Sequence, residues 1–400
     1  MSTWESENLR RFLLIPGGVM VILFILESLA LLKVLDYSRI IRSGPHDQFA
    51  DTNRGDPELL HIHPPHSSFR GISRGGNIAA NFRIPASDIG FYQWDVRYDR
   101  NGFRNDLDLN SAEVVVIGDS FVESITTPTS QLMTTVLAHF QGNVVANLGQ
   151  YGYGPLEELA VLRRYGLPLR PRSAVWMFFE GNDLKDVIHY RNVTTAPPKP
   201  PPNLWSAFWD RSLTRSVMAE VYTQFRRALR PSGTKRCGII QTPEGGRLTQ
   251  YFLYSSPPLT KDDLSALEQT TVTLAAAHDL CAAQGVRLVF VLVPTKFRVF
   301  HDLCQFPPES ECRNWTLNDL PERLESAMRS ISPDIGYLDL TPSLVDAAKR
   351  GLLPYYIDDD HWSPEGHRIA GEAINAYLRV ASAPAAGRQI RPKPVSARRW

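Results

Sequence analysis

Two separated segments carry the residue types and spacing that point to chemistry. Ser120 stands in Gly118-Asp119-Ser120, directly after the apolar run Glu113-Val-Val-Val-Ile117, and His361 stands in Asp358-Asp-Asp-His361-Trp-Ser-Pro-Glu-Gly-His367. A serine hydroxyl is a weak nucleophile at neutral pH unless a base takes its proton, and a carboxylate three residues before a histidine can orient that base. The two segments are therefore read as the halves of a Ser120, His361, Asp358 triad, with Asp359 and Asp360 beside the expected acid as alternatives.

Two further motifs, each directly after its own apolar run, complete the set: Asn147-Leu-Gly-Gln-Tyr-Gly152-Tyr-Gly154 and Glu180-Gly-Asn182-Asp183. Acyl transfer develops negative charge on a carbonyl oxygen, and preorganised N–H donors there are worth roughly 3 kcal/mol apiece. An amide side chain and a glycine, which lets backbone approach closely, suit that role. Alone, Gly-Asp-Ser or Gly-Asn-Asp is ordinary turn chemistry. Four such motifs at four strand ends require elements that bring them to one place. Runs at Glu113–Ile117, Val144–Asn147, Ala174–Phe179, Val286–Val293 and Gly336–Leu340, alternating with helical stretches such as Pro155 to Tyr165 and Lys261 to Gln284, predict an α/β fold. Its sheet is expected to be doubly wound, five-stranded and mostly parallel, with a ligand crevice at the carboxyl ends of the strands.

This ordered set, over roughly residues 113 to 380, resembles the SGNH or GDSL-type hydrolase family, named for its serine, glycine, asparagine and histidine. The resemblance implies a flavodoxin-like sheet, Ser120 as nucleophile, Asp358 and His361 completing the triad, and an oxyanion hole made by the Ser120 amide, Gly152 and Asn182. Gly149 and Gly154 share the loop with Gly152, and only the five-residue offset from Asn147 favours Gly152. Phe121 replaces the leucine of GDSL. Some membrane-bound relatives use a shorter spacing between acid and histidine. Relatives of that kind often carry a stretch like Tyr98-Asp-Arg-Asn-Gly-Phe-Arg104 ahead of the nucleophile strand, so residues 43 to 112 are expected to pack on the core as a lead-in.

The other histidines are read more plainly. Ser363, Pro364 and Glu365 form an N-cap, a first-turn proline and an early acid, so a helix starts just after His361 and takes in His367 as a structural residue or a neighbour of the site. His61, His63 and His66 lack carboxylate or cysteine companions at zinc spacing and are read as extended chain. No metal or cofactor is expected, and the glycine loop lacks the lysine and spacing of a phosphate-binding loop.

A chain of 400 residues exceeds one typical domain, and its net charge of +1 gives no basis for nucleic-acid binding. The apolar stretch 12–32 is long enough to span a bilayer, with Glu27 near its end. We expect a transmembrane anchor there, a cytoplasmic tail over 1–11, and an extracytoplasmic (periplasmic or cell-surface) catalytic domain. The proline-, alanine- and arginine-rich stretch 381–400 is expected to be a disordered basic tail. Cys304 and Cys312 are expected to close a small disulfide loop, with Cys237 and Cys281 left open. Residues 190–259, with Pro197 to Pro202 and the aromatics Trp205, Phe208 and Trp209, interrupt the sheet pattern as an insertion rooted beside Asn182, expected to lie over the crevice.

The function expected is that of a membrane-anchored serine esterase or O-acyltransferase on acyl, chiefly acetyl, esters of cell-surface glycans, with a membrane acyl-donor partner if it transfers. A lipase-like esterase on lipid or small esters, and a noncatalytic carbohydrate-binding protein retaining the fold, are the alternatives.

Overall fold

The computed structural model describes residues 18–32, 54–197, 212–243 and 245–381, with isolated positions between them. β1 (Arg54–Asp56) and β2 (Leu60–Ile62) form one antiparallel pair, and β3 (Ser68–Arg74) and β4 (Phe91–Arg97) another. β5 (Val114–Gly118), β6 (Val145–Gly149) and β7 (Ser173–Phe179) begin the main sheet. β8 (Cys237–Gln241) and β9 (Arg247–Tyr251) form a hairpin, β10 (Arg287–Val293) returns to the main sheet, β11 (Cys304–Gln305) pairs with β8, and β12 (Gly336–Asp339) closes the main sheet.

The main sheet has the order β12-β10-β7-β5-β6, and its five strands pair in parallel. Parallel strands covered on both faces must be apolar on both, and β5 meets that demand with five consecutive buried residues. Val115 and Ile117 enter one core, with Leu267 and Leu274 of the Lys261–Ala282 helix; Val114 and Val116 enter the other, with Leu137 of Met133–Gln141 and Ile369 of Pro364–Ala381. The chain passes from β5 to β6 on one side and then crosses to β7 on the other. That reversal opens a crevice beyond the carboxyl ends of β5 and β7, where Ser120 and Asn182 follow their strands.

Residues 54–112 are built onto this sheet: Leu59, Ile62, Phe103 and Ala112 are buried in the first core. Asn101-Gly102 makes a turn held by Asp99, whose carboxylate accepts the Asn101 and Phe103 N–H groups. Gly102 has φ of +85°, and a Cβ there would stand 2.2 Å from the His63 carbonyl oxygen, so both backbone and space demand glycine.

Of the 12–32 segment, residues 18–32 are described, and 18–31 are helical. Among the described residues no helix is long and apolar enough to cross a membrane. The expected tails over 1–11 and 382–400, the lead-in residues 43–53, and Trp205 and Phe208 lie outside the described residues. The expected Cys304–Cys312 bridge is not formed. Both are free thiols, as are Cys237 and Cys281. Cys304 opens β11 opposite Ile240, whereas Cys312 is buried on the separate turn Glu311–Asn314.

Candidate active site

Ser120 opens the four-residue helix Ser120–Glu123, capped by Asp119, whose carboxylate accepts the Phe121 N–H at 2.9 Å. Packing makes the turn tight. A Cβ on Gly118 would meet Val122 Cγ2 at 2.6 Å, so a side chain there would push the nucleophile helix off its strand. Phe121, at the leucine position of the GDSL motif, packs its ring 4.4 Å from Phe179 and 5.1 Å from both His361 and Trp362, forming a wall behind the imidazole.

The fold brings Ser120 to His361. Ser120 Oγ lies 2.8 Å from His361 Nε2, and His361 Nδ1 lies 2.5 Å from Asp359 Oδ1. The acid facing the imidazole is therefore Asp359 and not the expected Asp358. The spacing is two residues because the chain turns back at once: the His361 backbone N–H also donates to Asp359 Oδ1, at 2.8 Å. Asp358 points the other way, into the lead-in, where it accepts the Gly76 and Gly90 N–H groups and the Tyr92 hydroxyl. Asp360 accepts the Leu253 N–H at the exit of the β8–β9 hairpin.

Electrostatics follow from this geometry. Burial works against a charged His361, but the charge of Asp359, its hydrogen bond, and the charges of Asp119 and Asp360 outweigh it and raise the imidazole to about 9. Burial likewise opposes an ionised Asp359, yet the charge and hydrogen bonds of His361 and the Asn77 N–H hold it below its ordinary value. Burial raises Asp119 to about 6 and Asp360 to about 7. A charged pair of Asp359 and His361 thus stands beside acids of higher affinity for protons.

Asn182 precedes the helix Asp183–Thr195 in the N-cap position, but its side chain does not cap it. Instead its Nδ2 donates to Asp186 Oδ2 at 2.7 Å, one turn along. That bond fixes the carboxamide plane and leaves a second N–H for another acceptor. The loop is tied down from behind by a salt bridge of Glu180 with Arg298, whose partner Glu180 also accepts the Thr295 N–H. Burial first, then the charge of Asp119, pushes Asp186 up to about 8.

The three glycines of the 149–154 loop separate by environment. A Cβ on Gly149 would strike the Glu123 nitrogen and Val122, and one on Gly154 would strike Asp186, both near packed elements. Gly152 alone has φ in the left-handed region, +71°, with open space where a side chain would project. Neighbouring Tyr151 gives its N–H to Glu123 Oε2 at 2.7 Å, binding this loop to the end of the nucleophile helix.

Sequence reasoning missed three supporting residues. Lys296, fully buried as the first residue of the short helix Lys296–Phe300 after β10, donates through Nζ to the Tyr356 and Ile357 carbonyls at 2.7 and 2.8 Å, clamping the loop that carries the acids. Burial pushes it down to about 8 against the pull of Asp360, Asp359 and Asp358. His63, read as extended chain, is buried with Nε2 2.9 Å from Glu123 Oε1, which the Tyr98 hydroxyl also reaches. Gly76 is the third. A Cβ there would overlap the Asp359 side chain, whose Oδ2 accepts the Asn77 N–H at 2.8 Å. Nothing in the local sequence at 63, 76 or 296 announces contacts with residues so distant in the chain. His367 lies inside the following helix. Its Nδ1 accepts the Met133 N–H at 3.2 Å, so Nε2 carries the proton toward Ser124 Oγ at 2.8 Å, and burial holds the ring neutral with its pKa pushed down to about 3. Among the described residues no group of histidine, cysteine and carboxylate side chains could hold a metal ion.

A family model described as the SGNH hydrolase-like domain of the acetyltransferase AlgX matches residues 251–398. No curated protein matches the chain significantly. Solved structures similar to it include a protein assigned to the G-D-S-L lipolytic family from Desulfitobacterium hafniense DCB-2 (14% identity, 66% of this chain and 98% of that one, TM-score 0.36). A lipase/acylhydrolase from Enterococcus faecalis matches at 10% identity over 68% of this chain and 98% of its own, with TM-score 0.35. The acetyl xylan esterase AlAXEase matches at 11% identity over 68% and 99%, with TM-score 0.34. The family match takes in Asp359 and His361, and the five-stranded parallel sheet delivers Ser120 to that histidine from outside the matched stretch. Over residues 251–398 the chain is thus similar to an SGNH hydrolase-like domain, and the Ser120, His361 and Asp359 arrangement is one that suits ester hydrolysis or acyl transfer.

Proposed function

We propose that this protein is a serine esterase or O-acyltransferase acting on acetyl esters of cell-surface glycans, held at a membrane by residues 12–32 with its catalytic domain outside the cytoplasm. The observation that carries the chemistry is the unbroken line from Ser120 Oγ through His361 to Asp359, at 2.8 and 2.5 Å. As the Ser120 oxygen bonds to the ester carbonyl carbon, its proton passes to His361 Nε2 and the carbonyl electron pair moves onto oxygen. Asn182 Nδ2, the Gly152 N–H and the Ser120 N–H are the donors assigned to that oxyanion. Collapse breaks the bond to the leaving alkoxide, which takes the proton from His361. Water or a glycan hydroxyl then repeats the sequence on the acyl-enzyme and restores Ser120.

Acetyl as the acyl group is supported by the acetyltransferase named in the matching family model. Glycan as the acceptor is supported by the anchored architecture expected from the sequence. The test supplies an acetyl ester with and without oligosaccharide acceptors and follows free acetate against acetylated sugar, alongside fluorophosphonate labelling of Ser120. Acetylated sugar, or acetate released from acetylated glycan, is expected. Turnover faster on long-chain esters and indifferent to every glycan would replace this reading with a lipase-like esterase. Absence of labelling on folded protein would remove the serine chemistry itself.

A further inference from the structure

The helix Leu213–Ala228 packs the wrong way round for a helix of a soluble domain. Among the described residues its one buried side chain is polar: Ser216 donates to the Ser212 carbonyl, and just beyond the helix end Arg230 donates to the Ala79 carbonyl. Val217, Met218, Val221, Tyr222, Phe225 and, one residue past the helix, Leu229 fall on one face at helical spacing, and all six are exposed, between 45% and 65%. Such a stripe facing water loses the burial that ordinarily stabilises an amphipathic helix, so something apolar covers it.

The start of this helix says what. Glu27 Oε2 accepts the Thr214 N–H at 3.2 Å, so the helix begins against residues 18–31. That N-terminal helix is bare on every side from Val19 to Ile25, with all seven residues apolar and 47% to 74% exposed, and becomes covered only from Leu26 to Ala30. A helix apolar all round and uncovered suits lipid, not one protein groove. The change from bare to covered marks the depth at which the chain leaves the lipid, and the second helix starts at that depth. Arg226, exposed, borders its stripe on the Tyr222 side, the placement by which basic side chains reach lipid phosphates while their stems lie along apolar surface.

We propose that the Leu213–Ala228 helix lies in the membrane interface with its Val217 to Leu229 stripe immersed, so that the catalytic domain is seated on the bilayer at two points and not tethered by the N-terminal segment alone. The inference rests on the reading of residues 12–32 as an anchor. The full chain, reconstituted into vesicles of phosphatidylethanolamine and phosphatidylglycerol, tests it with a benzophenone-bearing phenylalanine placed singly at Val221, Phe225, Phe24 or Val272. All four are exposed positions, and Val272 lies on the Lys261–Ala282 helix as an apolar control. Lipid adducts at 221 and 225 at least tenfold above those at 272 are expected, with strong labelling at 24. Labelling at 24 but only control levels at 221 and 225 would overturn the seating while leaving the anchor. Control levels at all positions would overturn both. Protein adducts in place of lipid at 221 and 225 would show that another protein surface covers the stripe, and would also overturn it.

Discussion

Asp359 Oδ1 stands 2.5 Å from His361 Nδ1 and 2.8 Å from the His361 backbone nitrogen, so one carboxylate oxygen fixes both the ring and the chain that carries it. Among the three consecutive acids this predicts a sharp ranking. Asp359→Asn presents an amide where a carboxylate orients the imidazole, and turnover should fall by about 10⁴, as loss of a triad acid does elsewhere. Asp358→Asn should leave turnover within roughly tenfold and lower stability instead, by about 1–3 kcal/mol, because Asp358 holds the lead-in through Gly76, Gly90 and Tyr92. Steady-state kinetics on an acetyl ester and thermal melts of the two single variants check this; Asp358→Asn as the worse catalyst would return the acid role to Asp358.

Asn182→Ala should lower kcat by about 10²–10³ with little change in KM, since the donor acts on charge present only in the transition state. Asp186→Ala should produce a smaller loss of the same kind, because its contact with Asn182 Nδ2 holds the carboxamide in place. A change confined to KM in either variant would recast this pair as a ground-state binding element.

Two histidines predict opposite slopes of stability with pH. His367 is depressed to about 3, so between there and its ordinary value of 6.5 the unfolded chain binds more protons and stability is lost as pH falls. His361 is raised to about 9, so its contribution is fully present below 6.5 and is lost as pH rises toward 9. Stability from this pair should peak near 6.5. Denaturation midpoints measured from pH 4 to 10 check it, and His367→Gln should flatten the acid side while leaving the alkaline side intact. The same raised value predicts kcat/KM climbing with pH up to about 9, as His361 loses the proton that blocks it from acting as a base. A plateau already complete by pH 7 would show that the free-enzyme imidazole is not held charged.

Lys296→Met should destabilise the site selectively. Removal of the ammonium leaves the Tyr356 and Ile357 carbonyls without their donor and deprives three acids of their buried counter-charge. A loss of about 2–6 kcal/mol is expected, from two unsatisfied carbonyls at about 1–3 kcal/mol each. Chemical denaturation measures it, with unchanged stability counting against the clamp.

Much of this protein was legible in its residues because the signals are local. The apolar runs at 113–117 and 174–179 demand strands buried on both faces. Ser363, Pro364 and Glu365 demand a helix start, and the helix Pro364–Ala381 forms there with the Ser363 hydroxyl accepting the Glu365 and Gly366 N–H groups. Ser120 and Asn182 follow adjacent parallel strands, as their apolar runs demand, and Ser120 meets His361 beyond the strand ends. What the sequence left open was decided by directions in space. Three adjacent aspartates are alike in composition, and only the sharp turn at 359–361, wedged against the Gly76 backbone and held by Lys296, sends Asp359 to the imidazole, Asp358 to the lead-in and Asp360 to the β8–β9 hairpin. Cys304 and Cys312, close in sequence, stay unbonded because strand pairing and core burial fix them on separate elements. The outward stripe of the Leu213–Ala228 helix was likewise invisible in its periodicity, since an amphipathic pattern names an apolar face but not whether that face turns toward the protein or away from it.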